Sequence, residues 1–207
     1  MDAIVVNGTR VEPPFVLVKP GVSEEEYYRL GEDSNWELLG GKLVMSPSSD
    51  LQEDIFRWLL RLLDAFVEER DLGIVRGSRY PMRLDKTWSP EPDLMFVRTE
   101  NTGRMKPTRL EGPADLVVEI VSESSRDVDC RDKRERYRQA RVPEYWMVDP
   151  LRKELTVDFL AGNGYETRTL AEGRIESRIV SGFWIETSWL WQRPLPKVGP
   201  CLREILA

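Results

Sequence analysis

One segment constrains the fold of this chain more than any other, the seven residues Asp115–Val121 with the sequence DLVVEIV. Alternation along a strand puts Leu116, Val118 and Ile120 on one face and residues 117, 119 and 121 on the other. Both faces are apolar apart from one glutamate, which is the pattern of a central strand that is covered on both sides. The segment therefore predicts an internal strand of a sheet with further layers packed on both faces.

The rest of the 207 residues alternates between helical and strand patterns without an internal repeat. Ser23 and Glu26 form a capping box that predicts a short helix, and Gly40-Gly41 joins two short apolar runs into a predicted hairpin. Apolar residues at helical spacing predict a long helix over 50–70, and a charged helix is predicted over 127–140. Strands are predicted over 74–84, 93–97, 115–121, 145–148, 155–160, 165–170 and 175–180.

This order of elements predicts the fold class α/β (α+β), with a mixed sheet in a single domain. A chain of this length suits one domain and needs neither a disulfide nor a structural metal to bury a core. We expect the domain to cover residues 23–192, with an N-terminal lead-in over 1–22 and a C-terminal tail over 193–207.

The absence of histidine limits the chemistry available to this chain. Ser-His and Cys-His mechanisms and His-ligated zinc sites all need an imidazole, so these classes are excluded. The two cysteines, Cys130 and Cys201, lie far apart and form no metal-binding pair, which is typical of free thiols in an intracellular protein. With no signal-peptide pattern and no apolar run of about 20 residues, we expect a cytoplasmic protein without a membrane partner.

Glu119 lies within the predicted central strand, where a carboxylate is costly unless it is paired, neutralised or bound to a cation. A solvent-facing glutamate or a buried ion pair would explain the pattern as well as a metal ligand does. Asp93 begins the preceding strand within a Pro-Asp sequence, which is also a common turn. If the two strands pair, the carboxylates can meet, and oxygen ligands without histidine or thiolate favour Mg²⁺ or Mn²⁺ over zinc.

The charged helix adds a third candidate group. Asp129, Lys133 and Tyr137 are spaced by four residues and therefore share one face. Lys133 can present an ammonium to a metal site or a scissile phosphate, or it is one more solvated lysine. The 16 residues of 126–141 contain seven basic and four acidic residues, a local net charge of +3 in a chain of net charge −6. This surplus is compatible with a local basic face in an acidic protein, and a solvated helix surface explains it equally well.

Together these segments resemble a known family. The resemblance rests on Pro92-Asp93, on the strand that starts at Asp115, on the positions of Asp129, Lys133 and Tyr137, and on residues 142–150 with the sequence VPEYWMVDP. These features are similar to those of the restriction-endonuclease-like family in the PD-(D/E)XK nuclease superfamily. The hairpin over 36–47 also fits, and the resemblance covers about residues 23–185.

The resemblance implies a restriction-endonuclease-like core, a mixed sheet flanked by helices, in a hydrolase that cuts phosphodiester bonds of nucleic acid, above all DNA. It implies Mg²⁺ or Mn²⁺ as the cofactor and catalytic roles for Glu37, Asp93, Glu119 and Lys133. In the mechanism that follows, Asp93, Glu119 and the backbone carbonyl of Ile120 are the expected metal ligands. The superfamily's usual lysine position, two residues after the glutamate, holds a valine here, and Lys133 matches the lysine on the following helix.

The resemblance also leads to expectations about binding partners, and the sequence differs from the family pattern at one place. Arg126 and Arg131 are expected to contact nucleic-acid phosphates, which position a substrate without reading its sequence. A homodimer is expected by analogy with other nucleases of this fold. Many relatives carry a histidine where this chain has Leu51-Gln52. Two alternatives therefore stay open: a nuclease fold that binds or regulates without cutting, and a Mg²⁺ phosphatase of small substrates.

Overall fold

The computed structural model describes residues 4–6, 9–11, 15–31, 34–46, 48–77, 79–126 and 128–207. The α-helices are α1 (Glu24–Arg29), α2 (Asp50–Glu69), α3 (Arg134–Gln139), α4 (Thr187–Leu190) and α5 (Val198–Leu206). The strands are β1 (Ile4–Val6), β2 (Thr9–Val11), β3 (Leu17–Pro20), β4 (Glu37–Leu39), β5 (Lys42–Met45), β6 (Gly73–Gly77), β7 (Met82–Arg83), β8 (Trp88–Ser89), β9 (Leu94–Arg98), β10 (Met105–Lys106), β11 (Arg109–Glu111), β12 (Leu116–Ile120), β13 (Glu144–Asp149), β14 (Glu154–Ala161), β15 (Gly164–Leu170), β16 (Arg174–Glu176) and β17 (Trp184–Glu186). A 3₁₀ helix spans Thr99–Arg104, and a π-helical turn spans Val128–Lys133 and leads directly into α3.

A six-stranded sheet forms the centre of the molecule, with the strand order β15-β14-β13-β12-β9-β6. β12 and β13 run parallel, whereas the other neighbouring strands are antiparallel. The sheet is therefore mixed, and β12 is an internal strand, as the sequence predicts. In its register Val118 lies opposite Leu94, so the pairing of β9 with β12 brings the start of β9 to the end of β12.

β12 is covered on both faces because its apolar residues alternate. Leu116, Val118 and Ile120 belong to the core that packs against α2. Val117 belongs to a second core on the opposite face, which contains Tyr137 of α3. This arrangement confirms the two-sided apolar pattern, and it leaves Glu119 on the α3 side of the sheet.

α2 lies against one face of the sheet and is the long amphipathic helix that the sequence predicts. It begins after Ser49, whose hydroxyl accepts a hydrogen bond from the amide of Gln52 at 3.2 Å. Its buried residues are Ile55, Trp58, Leu59, Leu62, Leu63, Phe66 and Val67. α5 packs into the same core through Cys201 and Ile205. The expected boundaries of the domain, after residue 22 and after residue 192, stay a prediction.

A smaller sheet has the order β3-β5-β4-β8 and carries the predicted glycine hairpin. Gly40 and Gly41 have φ angles of 61° and 70°. Positive φ at both central residues is the requirement of a type I′ turn, which explains the glycine pair. The hairpin places Glu37, the first residue of β4, beside the end of the central sheet.

Two predicted elements are interrupted. The predicted strand over 74–84 divides into β6 and β7, because the chain bends at Arg79, whose φ angle of 71° is incompatible with an extended strand. Met82 instead donates its amide to the carbonyl oxygen of Pro90 at 2.8 Å. The predicted helix over 127–140 starts as a π turn before it becomes α-helical, and its residue 127 lies outside the described residues. Among the described helices, none is both long and apolar enough to cross a membrane.

Candidate active site

One cavity of about 580 Å³ contains all four residues that the resemblance marks as catalytic. Glu37 comes from the hairpin, Asp93 lies just before β9, Glu119 lies in β12 and Lys133 ends the π turn. Asp129, one helical turn before Lys133, lines the same cavity. Three distant parts of the chain are therefore joined at one end of the sheet by the β9–β12 pairing and by the helix that follows β12.

Lys133 is the cationic centre of this group, and only 3% of it is exposed. Its Nζ lies 2.8 Å from Oε2 of Glu37, 3.1 Å from Oε1 of Glu119 and 3.6 Å from Oδ1 of Asp129. Burial acts to lower the pKa of this amine, but the carboxylates, Glu119 and Glu37 first, outweigh it and raise the pKa well above its usual value. Lys133 is therefore held as an ammonium and is not a solvated surface lysine.

Glu119 is 2% exposed within the central strand. Its Oε1 accepts a hydrogen bond from the hydroxyl of Tyr137 at 2.6 Å, in addition to the ion pair with Lys133. Burial raises the pKa of Glu119 well above its usual value, and the ammonium of Lys133 opposes this effect while Asp129 adds to it. Of the alternatives left open by the sequence, the solvent-facing glutamate is excluded and the buried ion pair is present.

Asp93 is fixed against the end of β12. Its Oδ2 accepts a hydrogen bond from the backbone amide of Ile120 at 2.6 Å. Burial raises the pKa of Asp93 to about 7, although this backbone hydrogen bond acts in the opposite direction. The two carboxylates that were expected to meet therefore lie at adjacent positions, and the amide between them orients the aspartate.

Glu91 is a member of the site that the sequence reasoning missed. Its amide donates to Oε2 of Glu37 at 2.9 Å, and its Oε1 accepts from the hydroxyl of Tyr27 at 2.7 Å. Burial, with the nearby charge of Glu37, raises the pKa of Glu91 to about 7. Flanking prolines gave the segment the appearance of a turn. The available signal was the spacing from Asp93, since alternate residues of an extended chain point to the same side.

The balance of charge in the cavity is negative. Six carboxyl side chains line the cavity together with Lys133, and among the other described lining residues only Arg79 carries a positive charge. The described residues contain no group of three Asp, Glu or Cys side chains that could by itself hold a metal ion. Mg²⁺ commonly takes one or two carboxylates and completes its shell with waters and substrate oxygens. Asp93, Glu119 and the Ile120 carbonyl are a donor set of this kind.

The first turn of α2 contributes an unpaired acceptor to the same place. Nε2 of Gln52 donates to the carbonyl oxygen of Ile120 at 2.8 Å. Oε1 of the same side chain is buried and has no hydrogen-bond partner among the described residues. A buried orphan oxygen next to a carbonyl, in a cavity that Asp93 and Glu119 also line, fits a site for a hard cation, which binds oxygen ligands. The structure thus places Gln52, one of the two residues at which the resemblance implies a histidine in many relatives, in the candidate site.

The two arginines expected to bind phosphate do not line this cavity. Arg126 forms a two-pronged ion pair with Asp149, with N–O distances of 2.6 and 3.0 Å. Arg131 lies on the exposed surface, and its Nε is 2.9 Å from Oδ1 of Asp132. Their contact with nucleic acid stays a prediction.

The basic surplus of the helix is reduced by acids from other elements. Asp158 of β14, which is 0% exposed, accepts hydrogen bonds from both Arg134 and Arg138 at 2.8–3.0 Å. These bonds lower the pKa of Asp158 against the effect of its burial. Arg136 pairs with Asp85. Arg134 and Arg138 therefore anchor the helix to β14, and part of its positive charge is balanced by Asp158 and Asp85.

A mixed sheet with a buried glutamate in its central strand, an aspartate beside that strand's end and a lysine on the following helix define a restriction-endonuclease-like nuclease fold. The family model described as "Putative restriction endonuclease" (Uma2) matches residues 24–188, and the chain belongs to this family. This confirms the family resemblance.

A crystal structure described as a putative nuclease belonging to DUF820, from Anabaena variabilis, has a similar fold. The TM-score is 0.71 at 14% sequence identity, and the similarity covers 82% of this chain and 97% of that one. It confirms the expected fold class. Among curated proteins, no sequence matches this chain. Family and fold are those of nucleases.

Proposed function

We propose that this protein is a Mg²⁺- or Mn²⁺-dependent endonuclease that hydrolyses phosphodiester bonds of DNA. The observation that carries the proposal is the convergence of Asp93, Glu119 and Lys133, from three separate segments, on one cavity. Two acidic ligands and one cationic group that faces the same space are the parts that metal-assisted phosphodiester hydrolysis needs. The membership of a nuclease family supports the same reaction class.

Asp93, Glu119 and the carbonyl oxygen of Ile120 would hold the cation. When bound, a divalent cation supplies Lewis acidity that favours attack by water and offsets the negative charge that develops on the phosphate. The excess of carboxylates over cationic groups in the cavity supports this assignment. So does the hydrogen bond from the Ile120 amide to Asp93, because it holds one proposed ligand in a fixed orientation before any cation binds.

Lys133 is the group of this chain that acts on the phosphate. Its ammonium can donate hydrogen bonds to a non-bridging oxygen and stabilise the charge that grows there. Glu37 positions the lysine through the 2.8 Å ion pair, and Tyr137 holds Glu119 through the 2.6 Å hydrogen bond. Glu119 contacts Lys133 and is also a proposed metal ligand, so the lysine and the metal site keep a fixed position relative to each other.

The expected phosphate contacts, cellular compartment and assembly state complete the proposed function. Arg126 and Arg131, at the start of the same helical segment, would contact phosphates on either side of the scissile bond. Cys130 and Cys201 are free thiols, which suits a reducing compartment such as the cytoplasm. A homodimer would place two such cavities on one duplex, as a double-strand cut requires.

The test is cleavage of a supercoiled plasmid in the presence of Mg²⁺ or Mn²⁺, with an RNA of matched sequence as a second substrate. Wild-type protein is expected to nick or linearise the plasmid, and chelation by EDTA to stop it. Asp93→Ala and Glu119→Ala are expected to abolish cleavage, whereas Glu172→Gln, an exposed acid outside the cavity, should cut as wild type does. Cleavage that survives either site substitution would contradict the assignment.

A second candidate function is a nuclease fold that binds nucleic acid without cutting it. The observation that favours it is the engagement of Lys133 by three carboxylates, which leaves little of its charge for a substrate. Tight binding of a DNA duplex without cleavage under Mg²⁺, Mn²⁺ or Ca²⁺ would support this function. Nicking under Mn²⁺ would contradict it.

A further inference from the structure

The first turn of α2 meets the end of β12 through the side chain of Gln52. The backbone of Gln52 is held by the helix cap, where its amide donates to the Ser49 hydroxyl. Its side chain lines the cavity, and Nε2 donates to the Ile120 carbonyl oxygen at 2.8 Å. Gln52 is therefore a fixed neighbour of a carbonyl that belongs to the proposed metal site.

The other end of this amide has no partner. Oε1 of Gln52 is buried and accepts no hydrogen bond from the described residues. An unsatisfied buried acceptor is unfavourable, and such groups in native structures call for an explanation. Rotating the amide by 180° would not help, because Oε1 would then face the Ile120 carbonyl, which is also an acceptor. The partner that Oε1 lacks is therefore a group that the described chain does not supply.

Two features favour a cation as that group. The cavity is rich in carboxylates, so it attracts positive charge. In addition, the nitrogen and oxygen of one amide are about 2.2 Å apart, so Oε1 lies within about 5 Å of the Ile120 oxygen. Two oxygens bound to one Mg²⁺ are separated by up to about 4 Å. A small movement of the glutamine side chain would bring both oxygens within reach of one ion.

We propose that Gln52 is a further ligand residue of the cation site, with Oε1 as a neutral oxygen donor beside Asp93, Glu119 and the Ile120 carbonyl. The proposal deepens the proposed function and rests on it, because it assumes that this cavity binds a divalent cation. A neutral oxygen keeps the site selective for hard cations, since a chain without histidine offers no imidazole.

The experiment measures the affinity of the full-length chain for Mn²⁺, read from the electron paramagnetic resonance signal of the free ion and without nucleic acid. Gln52→Leu, which removes the oxygen at similar size, is expected to raise the dissociation constant about 10- to 100-fold. Gln52→Glu, which keeps an oxygen and adds charge, should bind at least as tightly as wild type. Ser46→Ala is the matched control, because this hydroxyl lines the same cavity but is already bonded to Ser124 at 2.7 Å.

The possible failures are distinguishable. If wild type binds Mn²⁺ and Gln52→Leu binds it equally well, the role of Gln52 is refuted and the metal-dependent function stands. If wild type binds no Mn²⁺, the metal-dependent function itself is refuted. Thermal unfolding without metal checks that each variant is folded. Should Gln52→Leu not fold, Gln52→Glu decides the matter, because weaker binding by this variant would refute the proposal.

Discussion

Replacing Lys133 with methionine tests whether this lysine is the group that balances the buried acids. Methionine has a similar length but no charge, so Glu37, Glu119 and Asp129 lose their shared cation while the cavity keeps its volume. At an effective dielectric constant of about 20, the contacts at 2.8 and 3.1 Å are each worth roughly 5–6 kcal/mol before desolvation is subtracted. Desolvation offsets a large part of this gain, and breaking a buried ion pair from one side costs about 3–5 kcal/mol.

We therefore expect Lys133→Met to lower the free energy of unfolding by about 3–5 kcal/mol at pH 7.5. Burial already raises the pKa of Glu119, and removal of the ammonium lets it rise further. A carboxyl with a raised pKa in the folded state contributes stability at low pH that is lost as the pH rises. The deficit of the variant should therefore shrink between pH 7.5 and pH 5.

Urea unfolding at the two pH values, without divalent cations, measures both effects. Lys42→Met, on an exposed strand position, is the matched control and should change stability by less than about 0.5 kcal/mol. Adding Glu119→Gln to Lys133→Met should restore part of the loss, since one of the unbalanced charges disappears. If Lys133→Met is as stable as wild type at pH 7.5, or if its deficit does not depend on pH, the charge-balance reasoning is refuted.

Three further predictions concern the same region and one control site. The pKa values of Asp93 and Glu91 are raised to about 7 in the folded protein, so its unfolding free energy without metal should decrease as the pH rises from about 4 to 7. For Asp93→Asn, urea unfolding should show a clearly weaker dependence of the unfolding free energy on pH, and an unchanged dependence would contradict the assignment. Tyr137→Phe removes the donor to Glu119 and should cost about 1.5–3 kcal/mol of stability, with a drop in any plasmid cleavage; equal stability by urea unfolding would show that the bond contributes little. Glu144, buried outside the cavity, accepts hydrogen bonds from backbone amides and an indole, so Glu144→Ala should lose about 2–4 kcal/mol yet bind Mn²⁺ with wild-type affinity, and weaker Mn²⁺ binding would refute its separation from the site.

The central part of the fold could be predicted because its sequence signals are local. β12 is apolar on both faces, and only a strand covered twice needs such a pattern. The capping box at Ser23 and the repeated apolar positions of α2 depend on residues within one helix. The break at Arg79 was not apparent, because the residue that takes up the positive φ angle is not a glycine and apolar residues occur on both sides of it.

The site was predicted in part for the same reason. Asp93 directly precedes β9 and Glu119 lies in β12, and these two strands are neighbours, so their pairing brings the two acids together. Glu91 was missed, since its burial depends on contacts with Tyr27 and with the hairpin, both more than 50 residues away, and its spacing from Asp93 alone does not show that burial. The pairing of the basic helix with Asp158 could not be predicted either, because a count of charges does not show which acid contacts Arg134 and Arg138.

The π-helical turn over Val128–Lys133 sets the angular phase of the residues that follow it. In a regular α-helix the eight steps from Asp129 to Tyr137 turn through about 800°, which would leave the two side chains about 80° apart. A π turn rotates less per residue, so it removes much of this offset and keeps Asp129 on the side of the helix from which Lys133 and Tyr137 reach Oε1 of Glu119. The extra residue in this turn therefore sets which side of the helix faces the strand. A one-residue deletion before Lys133 would keep the helix but rotate the side chains that contact Glu119 away from β12.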